Sequence, residues 1–346
     1  MDATNEPDTT AGPGRDGYEV VVVGGGAAGL SAALVLGRAR RRVAVVDAGE
    51  PRNAPAAAMH GFLSRDGMPP AALLAAGRAE IAAYGTDLYP ARADEITAAG
   101  PEEPPGPEGP SGAWGERPGG FLVRLDGGAV LTARRVLLAT GLRDELPDLP
   151  GVRERWGRDV LHCPYCHGYE VRDAPLGVIG TRPAAVHQAL MVRQWSPDVV
   201  LFAHGLPLGT DERERLAARG IRIEEGAVRR LAVADDRLTG VELADGRVVP
   251  RTAVFVPPLM VPNDGPAAGL GCLRDPATGA VATDPAGRTS VPGIWAVGNV
   301  TDARAQVVVA AGAGSVAAMD INHDLTTADT DRAVAALRAA SATTGV

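Results

Sequence analysis

The chain has 346 residues, 45% of them hydrophobic and 4% aromatic, and a formal net charge of −8; this leaves room for two domains with proper cores and is the wrong sign for a nucleic-acid surface. No apolar run reaches the length of a membrane span, and the opening MDATNEPDTTAGPGRDG has no apolar signal core. Three cysteines exclude a disulfide-stapled scaffold and point to a soluble, cytoplasmic protein, in which a close cysteine pair means redox or metal chemistry.

Residues 1–17 are polar, with Gly and Pro, and are expected to form a disordered tail. At Tyr18 the pattern changes. YEVVVVGGGAAGLSAALVLGRARRRVAVVDAGEPRN is a buried apolar strand, a glycine turn, an Ala/Leu helix and a second apolar strand ending in an acid, the order of a βαβ unit in a parallel sheet. Two further strands, GFLVRLDGGAVL and ARRVLLATG, complete this part. The segment GPEEPPGPEGPSGAWGERPGG before them is too poor in apolar residues to pack and is expected as an exposed hairpin insertion. Strand, turn, helix and strand then recur in APLGVIGTRPAAVHQALMVRQWSPDVVLFAHG, followed by a hairpin in GVELADGRVVP and a buried strand in AVFVPP. Near the end GRTSVPGIWAVGNV is a turn and a strand leading into the Ala-rich helix AQVVVAAGAGSVAAMDINHDL. Residues 326–346 lack a convincing apolar face and are expected to fray.

Gly24-x-Gly26-x-x-Gly29 directly follows the first strand and opens the first helix. Gly24 permits the tight turn, Gly26 lets backbone approach a pyrophosphate, and Gly29 allows close helix–strand packing, while the helix N-terminus offers N–H groups to the phosphates. Asp47, ending the next strand, stands where an acid grips a ribose hydroxyl. Alone, such a glycine motif is weak; with both strands, the helix and the acid in place it predicts a dinucleotide site. Far along the chain, Gly298-Asn299 ends a short strand before a helix starting near Ala305. That helix N-terminus would favour negative charge at the pyrimidine end of a reduced flavin.

Between the two modules lies HCPYCHGYE, with Cys163 and Cys166 two residues apart. Such thiols can bind a metal or exchange electrons. His162, Cys163, Cys166 and His167 are too close in sequence to chelate one zinc ion comfortably, and Cys272 is alone, so no metal is expected. Glutaredoxins carry CPYC at the front of a small βαβ domain of their own, not between two nucleotide-type modules. Cys272 is expected as a buried apolar residue, and His187 in packing or at the surface.

From Tyr18 to Leu325 the sequence resembles the low-molecular-weight thioredoxin reductase family of flavoproteins. The likeness rests on the Gly24 loop, the ATG at 139–141, the CxxC in the second nucleotide-fold domain and GRTSVPGIWAVGNV, in that order. It implies an α/β fold of two tandem Rossmann-like (three-layer) nucleotide-binding domains, the second inserted into a split FAD domain. Residues 18–144 and 252–325 would form the FAD domain, 145–251 the NADPH-domain-like insert carrying CxxC, and 1–17 and 326–346 the tails. Bound FAD, a homodimer and dithiol–disulfide exchange with the flavin are further implications. Gly24, Gly26, Gly29, Asp47, Asn299 and Gln306 would contact FAD, with Ala27, Ala28, Ala139, Thr140, Gly141, Gly298 and Val307 alongside. Asn299 stands where the family usually has Asp; it can still hydrogen-bond a ribityl hydroxyl but brings no charge. His60, in AAAMHGFLSRDG, falls in a loop near the flavin in this family. His323 would either approach a partner's active site or act as a cation at a helix end.

The second module departs from the family. Where members that use NADPH carry GxGxxA, this chain has VIGTRPAAVHQA, with Gly180 first, Arg182 in place of the second glycine and Ala185 third. Arg182 puts a long side chain where backbone should touch a pyrophosphate, and Pro183 removes an N–H donor. In place of the Arg-rich patch for the 2′-phosphate stands FAHGLPLG, with His204 and no Arg. Arg182 could instead salt-bridge the pyrophosphate from a shifted pose, but the 2′-phosphate patch has no visible replacement.

Without a nicotinamide donor, electrons must enter through the thiols. This arrangement resembles the thioredoxin reductase-like dithiol oxidases that close disulfides in metabolites such as holomycin and gliotoxin, with molecular oxygen as acceptor and hydrogen peroxide as product. CPYCHGYE looks more like their motif than the usual reductase one. By the resemblance Cys166 sits against the flavin, and Cys163 forms a mixed disulfide with a small-molecule dithiol. A thiolate is the attacking species. His167, where reductases have a proton-donating Asp, titrates near neutrality and suits accepting thiol protons; His162 is a second candidate. The expected activity is an FAD-dependent dithiol oxidase. The alternatives are an NADPH-dependent thioredoxin reductase-type disulfide reductase and a flavin redox sensor without turnover.

Overall fold

The computed structural model describes residues 17–99 and 120–343; the expected hairpin insertion and nearly all of the expected N-terminal tail lie outside the described residues. The first strand, β1 (Tyr18–Val23), is almost wholly buried, as suits the middle of a parallel sheet covered on both faces. Its side chains alternate: Val21 and Val23 enter one core, Val20 and Val22 another. The chain continues through α1 (Ala27–Arg38), β2 (Val43–Val46), α2 (Pro70–Ala82), β3 (Asp87–Tyr89), β4 (Ala93–Ala98), β5 (Phe121–Leu125) and β6 (Val130–Leu138). The two strands expected at 120–141 differ in extent. β6 begins already at Val130, because its first residues pair antiparallel with β5 while its later ones pair parallel with β1. The sheet runs β3-β2-β1-β6-β5-β4.

From β7 (Leu142–Glu145) the chain enters a second unit: α3 (Val152–Arg155), β8 (Val160–Leu161), α4 (Pro164–His167), β9 (Leu176–Ile179), α5 (Ala184–Val192), β10 (Val199–Phe202), α6 (Thr210–Ala218) and β11 (Arg222–Glu224). The antiparallel strands β12 (Val228–Ala234), β13 (Arg237–Leu243) and β14 (Val248–Pro250) follow, and then β15 (Ala253–Phe255). The second sheet is parallel, in the order β11-β10-β9-β15-β8. Val200 and Phe202 of β10 pack towards β12 and β13, while Val199 and Leu201 pack towards α5 and α6. Each unit thus has a parallel sheet between a helical layer and an antiparallel β layer, the three-layer α/β architecture expected.

The return crossing corrects the boundary placed at residue 252. β15 lies between β9 and β8, inside the second sheet. The chain leaves that unit only at β16 (Leu259–Pro262), which pairs antiparallel with β7. The composition break that marks the exit is Pro257-Pro258 rather than the end of the preceding hairpin. β17 (Ile294–Ala296) then rejoins the first sheet beside β6.

The C-terminal expectation is also corrected. The last helix, α7 (Val307–Thr343), does not end near Leu325 but runs on as one element. Ala317, Ala318, Ile321 and Leu325 bury its first part in the core with α1. Beyond them an ionic cluster replaces the apolar face: Asp329 pairs with Arg41 and Arg134, and Arg41 also donates to Thr326 at 3.0 Å. His323 is therefore an exposed mid-helix residue, not a cation at a helix end.

Candidate active site

The three glycines of the first loop meet three different surroundings. Gly24 has φ +110°, and a Cβ there would stand 2.2 Å from the Ala139 carbonyl oxygen. At Gly29 a Cβ would stand 1.9 Å from the Gly24 carbonyl oxygen. At Gly26 it would meet nothing within 4 Å. The first and third glycines serve the protein's own packing; the second faces open space. Ala27 begins α1. Ala28 is overlaid by α7, where a Cβ on Gly314 would lie 2.0 Å from the Ala28 carbonyl oxygen, and by Gly298 (φ +76°), whose Cβ would lie 3.1 Å from that of Ala28. The start of α1 and the segment leading into α7 at Val307 are thus brought together.

Around this opening lie the other residues expected at a cofactor. Asp47 leans over the loop, since a Cβ on Gly25 would stand 2.7 Å from its carboxyl carbon, and it accepts from Arg78 at 2.9 Å. Ala139 donates its N–H to Val23 O at 2.8 Å, and Gly141 takes the left-handed conformation. The Thr140 hydroxyl oxygen is buried with no hydrogen-bond partner. Asn299 donates its side-chain amide to the carbonyls of Asp302 and Ala305, each at 2.9 Å, which leaves its own side-chain oxygen as the free acceptor. Gln306 Oε1 lies 3.4 Å from where a Cβ on Gly61 would stand, so the loop carrying His60 abuts the start of α7. An open glycine, an unsatisfied buried hydroxyl, a carboxylate beside the loop and converging helix starts fit a dinucleotide such as FAD.

Cys163 and Cys166 form a disulfide with Cα atoms 5.2 Å apart. Cys163 caps the short α4, its sulfur accepting from the Cys166 N–H at 3.2 Å, and Pro164 fills the first helical position. Both flanking histidines are half-buried. Burial pushes His167 below the usual imidazole range; Glu170 opposes this and His60 reinforces it. Burial also lowers His162, helped by the positive charge of Arg52 and opposed by Asp144. His162 Nδ1 is buried with no partner. Its backbone carbonyl accepts from Gln188 at 2.6 Å.

Several participants carry no sequence motif. Arg52 grips Asp144 through two hydrogen bonds, at 2.8 and 2.7 Å. His60 Nε2 lies 3.4 Å from Glu170 Oε1, and its Nδ1 lies 3.4 Å from Asp66. Tyr165 and Tyr169 are exposed beside the disulfide, Tyr165 edge-on to Trp195. Most of these contacts join residues tens of positions apart, so although His60 and the HCPYCHGYE segment stand out in the sequence, their pairings do not. Among the described residues no group of three or more His, Cys, Asp or Glu is arranged to hold a metal ion. Cys272 is half-buried rather than fully buried, 3.7 Å from the Thr289 hydroxyl. His187 is exposed.

The second crevice keeps its shape but not its ligands. A Cβ on Gly180 would stand 2.5 Å from the Ala203 carbonyl oxygen, the close crossing a nucleotide fold requires. Arg182 and Pro183 follow, both exposed. His204, at φ +47°, uses Nδ1 to accept the Val228 N–H at 2.9 Å. A cleft of about 400 Å³ remains here, lined by residues that include Asp148, Thr181 and His204 but no Lys or Arg.

Residues 18–314 match the sequence family described as pyridine nucleotide-disulphide oxidoreductase. The chain is 29% identical to thioredoxin reductase sirT of Leptosphaeria maculans, over 90% of this chain and 95% of that protein. It is 33% identical to the "Probable thioredoxin reductase" of Arthroderma benhamiae over 54% of this chain, and spans only 44% of that protein's length. Among solved structures, that of HlmI superposes with a TM-score of 0.86 at 57% identity, covering 95% of this chain and 98% of the other.

Proposed function

The chain belongs to the pyridine nucleotide-disulphide oxidoreductase family as a thioredoxin reductase-like enzyme acting on sulfur groups, and from that premise we propose that it is an FAD-dependent dithiol oxidase. Its substrate is a small-molecule dithiol, which leaves as an intramolecular disulfide. The observation that carries this is the state of the second crevice. Arg182 and Pro183 occupy the phosphate turn, and the cleft beside it is lined by residues that include Asp148 and His204 but no Lys or Arg. A coenzyme 2′-phosphate has no fixed cation to meet there.

In this reading His167 takes the proton from a substrate thiol, with His162 behind it. The thiolate attacks Cys163, the Cys163–Cys166 bond opens, and Cys166 leaves as the thiolate facing the cofactor. The second substrate thiolate then attacks the mixed disulfide, so the product disulfide forms and Cys163 is released reduced. Gly24, Gly26, Gly29, Asp47, Ala139 to Gly141, Asn299 and Gln306 would hold FAD. Held there, FAD would supply a two-electron acceptor for returning the cysteines to the disulfide, with molecular oxygen as the final acceptor and hydrogen peroxide as the product.

The apolar stripe Val309, Val316 and Met319, exposed along α7, supports a homodimer. Among the described residues no helix is long and apolar enough to cross a membrane; a cytoplasmic location belongs to the same proposal. The second reading, an NADPH-dependent disulfide reductase, draws on relatives named as thioredoxin reductases. Anaerobic mixing separates the two. The oxidase loses its flavin absorbance with a dithiol and not with NADPH; rapid bleaching by NADPH sinks the proposal. Steady oxygen uptake with a dithiol excludes a sensor without turnover.

A further inference from the structure

We infer that Gln188 is a positioning residue for the dithiol chemistry: through the His162 carbonyl it fixes the peptide before Cys163 and so aims the sulfur that exchanges with substrate. The inference rests on the reaction proposed above. Gln188 is 6% exposed and lies in α5, whose other buried residues, Ala185, Val186, Ala189 and Val192, are all apolar. Its Nε2 donates to the His162 carbonyl at 2.6 Å. Its Oε1 is buried with no hydrogen-bond partner among the described residues, a cost that a folded chain rarely carries without a reason. An unbranched apolar side chain of similar volume, such as methionine, would fill the same place and leave no unpaired amide oxygen. What the amide adds over such a residue is its bond to His162 O.

That bond acts on one side of Cys163. On the other side the Cys163 carbonyl accepts the N–H groups of Cys166 and His167 at 3.1 and 3.2 Å, and its sulfur accepts the Cys166 N–H at 3.2 Å. With both flanking peptides held, Cys163 keeps the extended conformation, φ −98° and ψ 114°, that sets its sulfur at the start of α4. When exchange releases Cys163, the same N–H stabilises its thiolate. Docking α4 against α5 is not the task of the amide. Trp195, just past the end of α5, meets that need: Tyr165 stands edge-on to it with ring centroids 5.6 Å apart, and a Cβ on Gly168 would lie 2.8 Å from its ring. Without the Gln188 donor the His162 carbonyl is free to turn, and Cys163 loses its fixed direction while the helices stay packed.

The test uses the full-length flavoprotein, anaerobically, with dithiothreitol as the probe and Gln188→Met as the variant. Opening of the Cys163–Cys166 disulfide is timed by N-ethylmaleimide alkylation and mass spectrometry. Its equilibrium is read in mixtures of dithiothreitol and oxidised dithiothreitol, and stability by thermal melting. Gln188→Met is expected to slow opening about tenfold, as loss of a fixed attack geometry does. It should also shift the equilibrium about threefold or more towards the disulfide, because the Cys163 thiolate is less well held. The melting temperature should stay within a few degrees of wild type, since the lost hydrogen bond is offset by removal of the unpaired oxygen. Rates and equilibrium both within about twofold of wild type would overturn the inference. So would slow opening with an unchanged equilibrium and a melting temperature lowered by about ten degrees, the mark of a structural role. A variant that fails to fold overturns it as well, because the apolar replacement is expected to cost little. A wild-type disulfide that dithiothreitol leaves closed refutes the dithiol chemistry itself, whereas wild type and variant that open alike refute only the role of Gln188.

Discussion

A side-chain carbon on Gly29 would stand 1.9 Å from the carbonyl oxygen of Gly24, whereas one on Gly26, between them, would touch nothing within 4 Å. One loop therefore contains a glycine that the fold requires and a glycine beside which the fold leaves open space. Gly29→Ala forces α1 away from β1 and should destabilise the protein by about 2 kcal/mol or more, as overpacking in a tight crossing does. Gly26→Val should leave the urea midpoint of the apoprotein near wild type while lowering flavin content after purification. Equal loss of stability in both variants would show that Gly26 is structural too.

The cysteine roles are separable by trapping. In Cys166→Ser the thiol that would resolve a mixed disulfide from inside the enzyme is gone, so Cys163 should retain one molecule of an added disulfide probe. Intact-mass spectrometry should show that single adduct, and dithiols should no longer bleach the flavin. Cys163→Ser should form far less adduct under the same conditions. Preferential labelling of Cys166 instead would reverse the assignment.

His167 yields a pH prediction of definite sign. Burial holds its ring below the usual imidazole value of 6.5, with Glu170 opposing the shift and His60 adding to it. The base therefore stays unprotonated at pH values where an ordinary histidine is already half charged. The ratio of wild-type to His167→Gln rates of disulfide opening should be on the order of a hundredfold above neutrality and should fall at a more acidic pH than it would for an ordinary histidine. Taking the ratio cancels the thiolate content of the probe. Stability follows the same shift. Between the folded and unfolded values the unfolded chain binds more protons, so stability declines as the pH drops below about 6.5. His167→Gln should remove that part of the decline, as read by urea midpoints at pH 7.5 and 5.5.

The fold was legible wherever one segment supplies both the pattern and its partner. YEVVVVGGGAAGL contains a strand, a turn and a helix whose glycines can be assigned roles from their spacing, and Gly24 and Gly29 meet the close contacts expected of them. The cysteine pair was equally plain, because two residues of separation and an intervening Pro leave few chemistries open. Arg78 beside Asp47 was invisible, as was His60 beside Glu170, because neither pair has a spacing that a helix or strand would produce. The boundary at 252 failed for a related reason: β15 has the apolar composition of either sheet, and only its neighbours β8 and β9 decide between them.

Residues beyond Leu325 offer the last test, since they carry no apolar stripe and yet are helical to Thr343. Their hold is ionic. Burial alone would push the Asp329 carboxyl up, but hydrogen bonds from Arg134 and Arg41 outweigh it and bring the group below the usual carboxylate range. The arginines are the more buried partners, 7% and 13% exposed against 39% for Asp329, so removing the acid strips a shared counter-charge from two cations already withdrawn from water. Asp329→Asn should cost about 1–3 kcal/mol at neutral pH. A chain ending at Leu325 should lose at least as much, because the Thr326 contact with Arg41 goes too. The contribution is present above the ordinary carboxylate value near 3.9 and is lost as the pH falls through the lower folded value, so wild type and Asp329→Asn should converge in strong acid. Urea midpoints at pH 7 and in acid measure both effects. A truncated chain as stable as the full one would mean that the clamp does not hold and that the helix past Leu325 is a passive extension.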